Sequence, residues 1–228
     1  MGSRSLVDTS ARPWARRRDP ERPWYRPAAS LLPELTGRWI DLGCGRGEFL
    51  ALAAARGHRG IGLDRRRECA AEVAADRRTA LVADLGRRLP LRDAALDGAS
   101  LIEVIEHVLA AESLVAELAR VVRPGGWLLV STPNVVHWTY RWRTLTGHPP
   151  KQEGYHVRFF TRRTLAQLLA SGGFRVQRRA SFGKQALLGK LLALTGRRGK
   201  VRYRVPPPLE SLLAQHFVWL LTRVDVAA

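Results

Sequence analysis

The 228-residue sequence predicts a doubly wound α/β domain, a mostly parallel sheet with helices on both faces. Three observations carry that prediction. Short apolar runs alternate with longer stretches of helical periodicity from Arg38 onward. The first run ends in a glycine-rich turn that opens a helix, and the first three runs each carry an acid at or near their ends. Ligands bind outside the carboxyl ends of such strands.

Each element follows in order. Trp39-Ile-Asp-Leu42 reads as the first strand, and Glu48 to Arg56 as the helix after its glycine turn. Gly60 to Leu63 is the second strand, followed by a helix from about Arg66 to Asp76. Ala80 to Ala83, Gly98 to Ile102 and Trp127 to Ser131 are the third, fourth and fifth strands. A helix from Leu109 to Val121 precedes the last of these and stops at Arg123-Pro-Gly-Gly126. Thr161 to Ser171 is a further helix ending at Gly172-Gly173, Phe174 to Arg179 a strand, and Phe217 to Thr222 the closing strand. Residues 1–30, rich in Arg, Pro and Trp without periodicity, read as a loose basic arm, whose Trp14 and Trp24 are read first as anchors to the domain. Residues 31–228 form the domain, with substrate-side insertions at about 133–160 and 183–208.

The apolar fraction of 46%, interleaved with charge, excludes disordered and fibrous classes. Two cysteines, Cys44 and Cys69, exclude a disulfide framework, and no secretory pattern opens the chain, which predicts a cytoplasmic setting. No apolar stretch approaches the roughly 20 residues that span a bilayer. The net charge of +18 is uneven: residues 31–137 carry 14 basic and 14 acidic side chains, residues 138–228 carry 17 and 3. An excess at the ends favours an anionic partner there, against the plainer reading of solvated arginines.

The turn Asp41-Leu-Gly-Cys-Gly-Arg-Gly-Glu48 places glycines at 43, 45 and 47, where backbone must pass close to a ligand. A dinucleotide fingerprint would space the third glycine one residue later and would avoid flanking acids, which repel pyrophosphate. Acids suit an ammonium or sulfonium instead. Asp64, about 20 residues on, is placed to accept from ribose hydroxyls, and Asp84 to bind an adenine amino group.

These residues resemble the class I S-adenosylmethionine-dependent methyltransferases over about Trp39 to Arg223, with Ala83-Asp84-Leu85, Glu103 and Arg123-Pro-Gly-Gly126 as further matching pieces. The resemblance implies a Rossmann-like sheet of seven strands, one of them reversed, with S-adenosylmethionine across the first strands' carboxyl ends. It implies that Asp41, Gly43, Cys44, Gly45 and Gly47 hold the methionine part, with Cys44 as a small loop residue. Asp64 would serve the ribose and Asp84 with Leu85 the adenine, with Arg65 and Glu103 as further cofactor-binding residues.

Glu103-Val-Ile-Glu-His107 is expected to enter a helix with Glu103, Glu106 and His107 on one face. Two carboxylates and an imidazole so placed call for a balancing charge, and a divalent metal (Mg, Mn or Zn) with His156 as fourth ligand would supply it. The alternative is that Glu103 touches only the cofactor and Glu106 stabilises the helix start. Without metal, His107 is the natural general base, with His137 and His156 as rivals and Glu106 beside them. The pattern looks like that of ubiquinone-pathway and small-RNA 2′-O-methyltransferases, while Pro133-Asn-Val-Val-His-Trp138, Arg141 and Leu-Thr-Gly147 look closer to MetW-like and glycan methyltransferases.

The favoured acceptor is a hydroxyl on a small-molecule, lipid-linked or sugar substrate, with Gln185 to Arg204 as a lid or an anionic membrane-surface patch. RNA is the second reading, opposed by the lack of an RNA-binding module. A non-catalytic MetW-like binding protein is the third.

Overall fold

A computed structural model describes residues 19–34, 37–148, 156–184 and 202–224. Its strands are β1 (Trp39–Leu42), β2 (Gly60–Asp64), β3 (Ala80–Val82), β4 (Leu96–Ile102), β5 (Val122–Pro133), β6 (Phe174–Arg179), β7 (Phe182–Lys184), β8 (Arg202–Arg204) and β9 (His216–Arg223). The helices are α1 (Tyr25–Ala29), α2 (Glu48–Ala54), α3 (Arg67–Ala75), α4 (Ala111–Val121), α5 (Trp138–Leu145), α6 (Arg162–Ser171) and α7 (Glu210–Leu213). The sheet runs β3-β2-β1-β4-β5-β9-β7-β8, with β6 also paired to β9. The first five strands are parallel and β9 is reversed.

Since β6 and β7 follow one another along β9, bridged by the Ala180 N–H donating to the Val218 carbonyl at 2.8 Å, they act as one interrupted strand. Counted so, the sheet has the seven strands expected, with β8 as an added edge. Reversing β9 places its first residue, His216, beside Pro133 at the carboxyl end of β5. His216 therefore shares the ligand-binding edge.

Successive strand residues alternate between the sheet's two faces. Ile40, Leu42, Leu128, Val130, Phe217 and Trp219 pack with α4 and α6 on one side. Trp39, Trp127, Leu129 and Val218 pack with α1 and α2 on the other. Two indoles need glycine on the neighbouring strand. A Cβ at Gly98 would lie 2.0 Å from the Trp127 ring, and one at Gly60 2.4 Å from Trp39. Gly98→Ala is therefore expected to destabilise the chain by about 3 kcal/mol, as overpacking of a tight core does. Urea unfolding of the variant checks this.

The arm reading holds less of the chain than expected. Residues 25–29 are helical, and Tyr25, Ala28, Ala29, Leu31 and Leu32 are buried in the core beside α2. Pro27 sits in the helix's first turn, where its missing N–H costs nothing. Trp24 is an anchor, its ring 5.2 Å from His216, while Trp14 lies outside the described residues. Of the expected insertions, α5 lies within the first and β8 within the second.

Candidate functional site

The glycine turn wraps against the end of β2: the Gly43 and Cys44 N–H groups donate to the Leu63 carbonyl at 2.7 and 3.0 Å. Gly43, Gly45 and Gly47 all take positive φ, at 69°, 55° and 80°. Cβ atoms at 43 and 47 would strike Val104 and Val73, whereas at 45 the nearest atom is a Glu48 carboxylate oxygen 3.8 Å away. Gly45 thus lines an open acidic space. Cys44 is buried and packs over Gly62, and burial pushes its thiol well above the usual range.

Asp41 is 2% exposed and accepts a 2.6 Å hydrogen bond from the Ser100 hydroxyl, its cross-strand neighbour. Burial pushes its carboxyl up to about 7, the Ser100 bond opposes this, and the Glu48 and Asp64 charges add to it. The Tyr25 phenol is pushed up by burial and by the charges of Glu48, Asp41 and Glu103. Its ring stacks on Phe49 of α2, 6.1 Å between centroids.

Asp64 is buried at the end of β2 and accepts from the Gly45 N–H at 3.0 Å and from the Arg66 N–H and side chain at 3.0 and 3.1 Å. Arg66, rather than the exposed Arg65, engages the acid. Asp84 is exposed just past β3 and accepts from the Gly86 N–H at 2.9 Å, and Leu85 packs partly against the core.

The expected helix through Glu103 to His107 does not form. Glu103 takes φ 58°, its N–H donates to the Ser131 carbonyl at 3.0 Å, and only Ile105–His107 make a single tight turn before α4. Sheet pairing carried one residue past β4 forces this left-handed corner, so Glu103 does not share a face with Glu106 and His107. Its carboxylate accepts from the Ser131 hydroxyl at 2.7 Å and meets His216 Nδ1 at 3.0 Å. His216 was missed in the sequence: a lone histidine before an apolar strand carries no local signal.

Glu106, His107 and His156 do converge, their ligand atoms all within 4.8 Å of one another, while Glu103 falls outside the group. The Glu106 carbonyl accepts from the Val157 and Arg158 N–H groups at 3.0 and 3.1 Å, which clasps His156 beside His107. Arg158 fixes the segment further through paired bonds of 2.7 and 2.6 Å to Glu112. Glu106 is 1% exposed, with one oxygen accepting from Thr132 at 3.0 Å and the other buried without a hydrogen bond. Burial first, then the Glu103 charge, hold its carboxyl well above the usual range.

His137 leaves the list of rival bases. It caps α5, its Nδ1 2.7 Å from the Thr139 hydroxyl, and burial lowers its pKa to about 4. Asn134 nearby ties down the chain before β9: its side-chain amide donates to the carbonyls of Glu210, Ser211 and Ala214, and its N–H to Gln215.

The methyltransferase domain family matches residues 14–178. The chain belongs to the S-adenosylmethionine-dependent methyltransferases. A Mycolicibacterium smegmatis protein described as a probable member of that family is 33% identical over 164 residues, covering 68% of this chain and 60% of the relative. The chain thus spans about three fifths of that relative's length. A ubiquinone biosynthesis O-methyltransferase of Chromobacterium violaceum is 33% identical over 104 residues, 42% of this chain and 44% of the relative. An Archaeoglobus fulgidus S-adenosylmethionine-dependent methyltransferase shares the fold, with TM-score 0.66, 19% identity, and 90% and 94% of the two chains covered.

The residues present fit this methyltransferase family's cofactor. The open face of Gly45 leaves room where a Cβ would intrude, and the acids around it match a cationic methionine end in charge. No expectation drawn from the sequence had placed Tyr25, Arg66 or His216 here. Tyr25 and His216 are brought in by tertiary contact, and Arg66 by a local turn two residues past Asp64.

Proposed function

We propose that the chain moves the methyl group of S-adenosylmethionine to a hydroxyl on a small-molecule, sugar or lipid-linked acceptor. One observation carries this reading: Glu106, His107 and His156 converge beyond Glu103, on the same sheet edge as the Asp41–Gly45–Asp64 cradle. The transfer is a displacement at an activated carbon, so alignment of nucleophile, methyl and sulfur supplies much of the rate. Asp41, Glu48 and Glu103 orient the cationic end, and Asp64 the ribose. Asp84 and Leu85 would border the adenine.

A divalent cation fits the trio: one buried carboxylate oxygen without a hydrogen bond, and two imidazoles within reach. Such an ion, when bound, would lower the pKa of an acceptor hydroxyl and orient it. Apolar side chains exposed around this edge, Trp138, Trp142 and Leu145 on α5 with Val157 and Phe159 beside His156, support an acceptor with an apolar part. No helix among the described residues is long and apolar enough to cross a membrane. We place the reaction in the cytoplasm, with the basic C-terminal part in contact with anionic lipid. Of the Gln185 to Arg204 stretch read as lid or lipid patch, residues 185–201 lie outside the described residues.

The deciding experiment incubates the protein with cell extract and isotopically labelled methyl donor, then identifies the labelled product. A methyl ether on a small or lipid-linked molecule is the expected product. Label in RNA, or on nitrogen or carbon, would overturn the reading. Removing divalent ions with a chelator is expected to lower turnover at least tenfold and readdition to restore it, while leaving cofactor affinity unchanged. Full turnover after metal analysis shows the protein metal-free would remove the ion.

A further inference from the structure

We propose that His216 takes the acceptor proton during methyl transfer and that Glu103 is its positioning residue; this rests on the hydroxyl-acceptor reading above. Glu103 has both oxygens assigned, one to the Ser131 hydroxyl at 2.7 Å and one to His216 Nδ1 at 3.0 Å. The Nδ1 contact is a close approach that is not aligned as a hydrogen bond, but a carboxylate oxygen at 3.0 Å repels a nitrogen lone pair, so Nδ1 carries the hydrogen and Nε2 is left with its lone pair. The ring cannot swing away: Phe182 stacks on it at 5.2 Å and 7°, and Trp24 lies against it at 5.2 Å.

The backbone at Glu103 adds a second, independent sign. A non-glycine residue at φ 58° is strained, and such strain gathers at functional positions. Here the left-handed corner turns the carboxylate away from Glu106 and onto the start of β9. The same carboxylate is one of three whose charges reach Tyr25, together with Asp41 and Glu48. Through Glu103 at the end of β4, the strand beside β1, His216 shares the sheet edge of the Asp41 cradle. The groups facing His216 are Glu103 from the end of β4, His137 from the cap of α5, Trp24 beside α1 and Phe182 from β7. Arg22 lies 5.8 Å over the Trp24 ring. Among the described residues, Glu103 is the carboxylate in direct contact.

In the step, the acceptor oxygen bonds to the methyl carbon as the carbon–sulfur bond breaks. Sulfur keeps the electron pair and leaves as the neutral thioether. The acceptor's proton passes to Nε2, and Glu103 holds the resulting imidazolium until it gives the proton to solvent.

The test uses the full chain, its His216→Gln and Glu103→Gln variants, and the acceptor that the labelling experiment identifies. His216→Gln is expected to keep S-adenosylhomocysteine affinity by calorimetry and acceptor KM within about threefold, while kcat falls about 100- to 10,000-fold. Its kcat should also lose the acidic limb of the wild-type pH profile. Glu103→Gln should move that limb to lower pH, because the neutral amide no longer favours the imidazolium. Wild-type kcat in His216→Gln, or an unmoved limb in Glu103→Gln, would overturn the proposal. Nitrogen-15 NMR of the wild-type histidines gives a readout that needs no acceptor: the Nδ1–H tautomer is expected at His216, and the Nε2–H tautomer overturns the assignment. If that tautomer is found and no hydroxyl acceptor is methylated, the hydroxyl reading has failed and the base role falls with it, while the His216–Glu103 contact stands.

Discussion

Asp64→Ala is expected to raise the dissociation constant for S-adenosylmethionine about 100-fold. The carboxylate is buried at the tip of β2 and accepts from the Gly45 N–H, so it holds the glycine turn in place, and in the reading proposed above it also receives the ribose hydroxyls. Charge-assisted hydrogen bonds of this kind contribute about 1.5–3 kcal/mol each, and each 1.4 kcal/mol is tenfold in affinity. The variant also leaves the Arg66 guanidinium without its 3.1 Å partner beside the cradle, which opposes a cation there. Titration calorimetry reads the change directly, and an affinity within threefold of wild type would refute the assignment. Arg65→Ala, by contrast, is expected to leave affinity nearly unchanged, since that side chain points to solvent.

Cofactor affinity is also expected to rise with pH up to neutrality, and Asp41 is the cause. Its carboxyl is raised from 3.8 to about 7, first by burial. A cationic methionine end stabilises the charged form, so binding expels the proton below pH 7 and affinity gains about tenfold per pH unit there before levelling off. Calorimetry at pH 6 in buffers of different ionisation enthalpy should detect about one released proton. Asp41→Asn should flatten the profile. For stability the sign is opposite. Between 3.8 and about 7 the native chain holds a proton that the unfolded chain has lost, so stability is greatest below that window and falls as pH rises through it. Asp41→Asn is expected to raise the thermal midpoint at pH 8 and to change it little at pH 4.

The sheet was legible because its strands are short apolar runs bounded by glycine, and periodicity responds to little else. Gly60 and Gly98 looked like ordinary strand residues, yet each is the flat seat of an indole from the next strand, a pairing only the register discloses. The cradle was legible because Asp41, the glycines and Asp64 lie close in sequence or at strand ends. Glu103 was misread for a physical reason: Glu, Val, Ile, Glu and His all tolerate a helix, and nothing local shows that an N–H will pair with Ser131 on the neighbouring strand and twist the chain left-handed. Arg65 was expected in the cofactor set, yet Arg66, one step further along the turn, is the side chain that engages Asp64. His216 depends on the longest-range fact of all, that the last strand runs backwards beside β5.

Asn134 bears on how acceptor preference can diverge. Its four hydrogen bonds pin the turn ahead of β9 to the end of β5, so the residue facing Glu103 is held from its own N-terminal side by the sheet itself. Changes upstream of that clamp, in β8 or the Pro207–Leu209 turn, are therefore expected to leave the imidazole beside Glu103 in place, so that side of the edge can diverge without disturbing it.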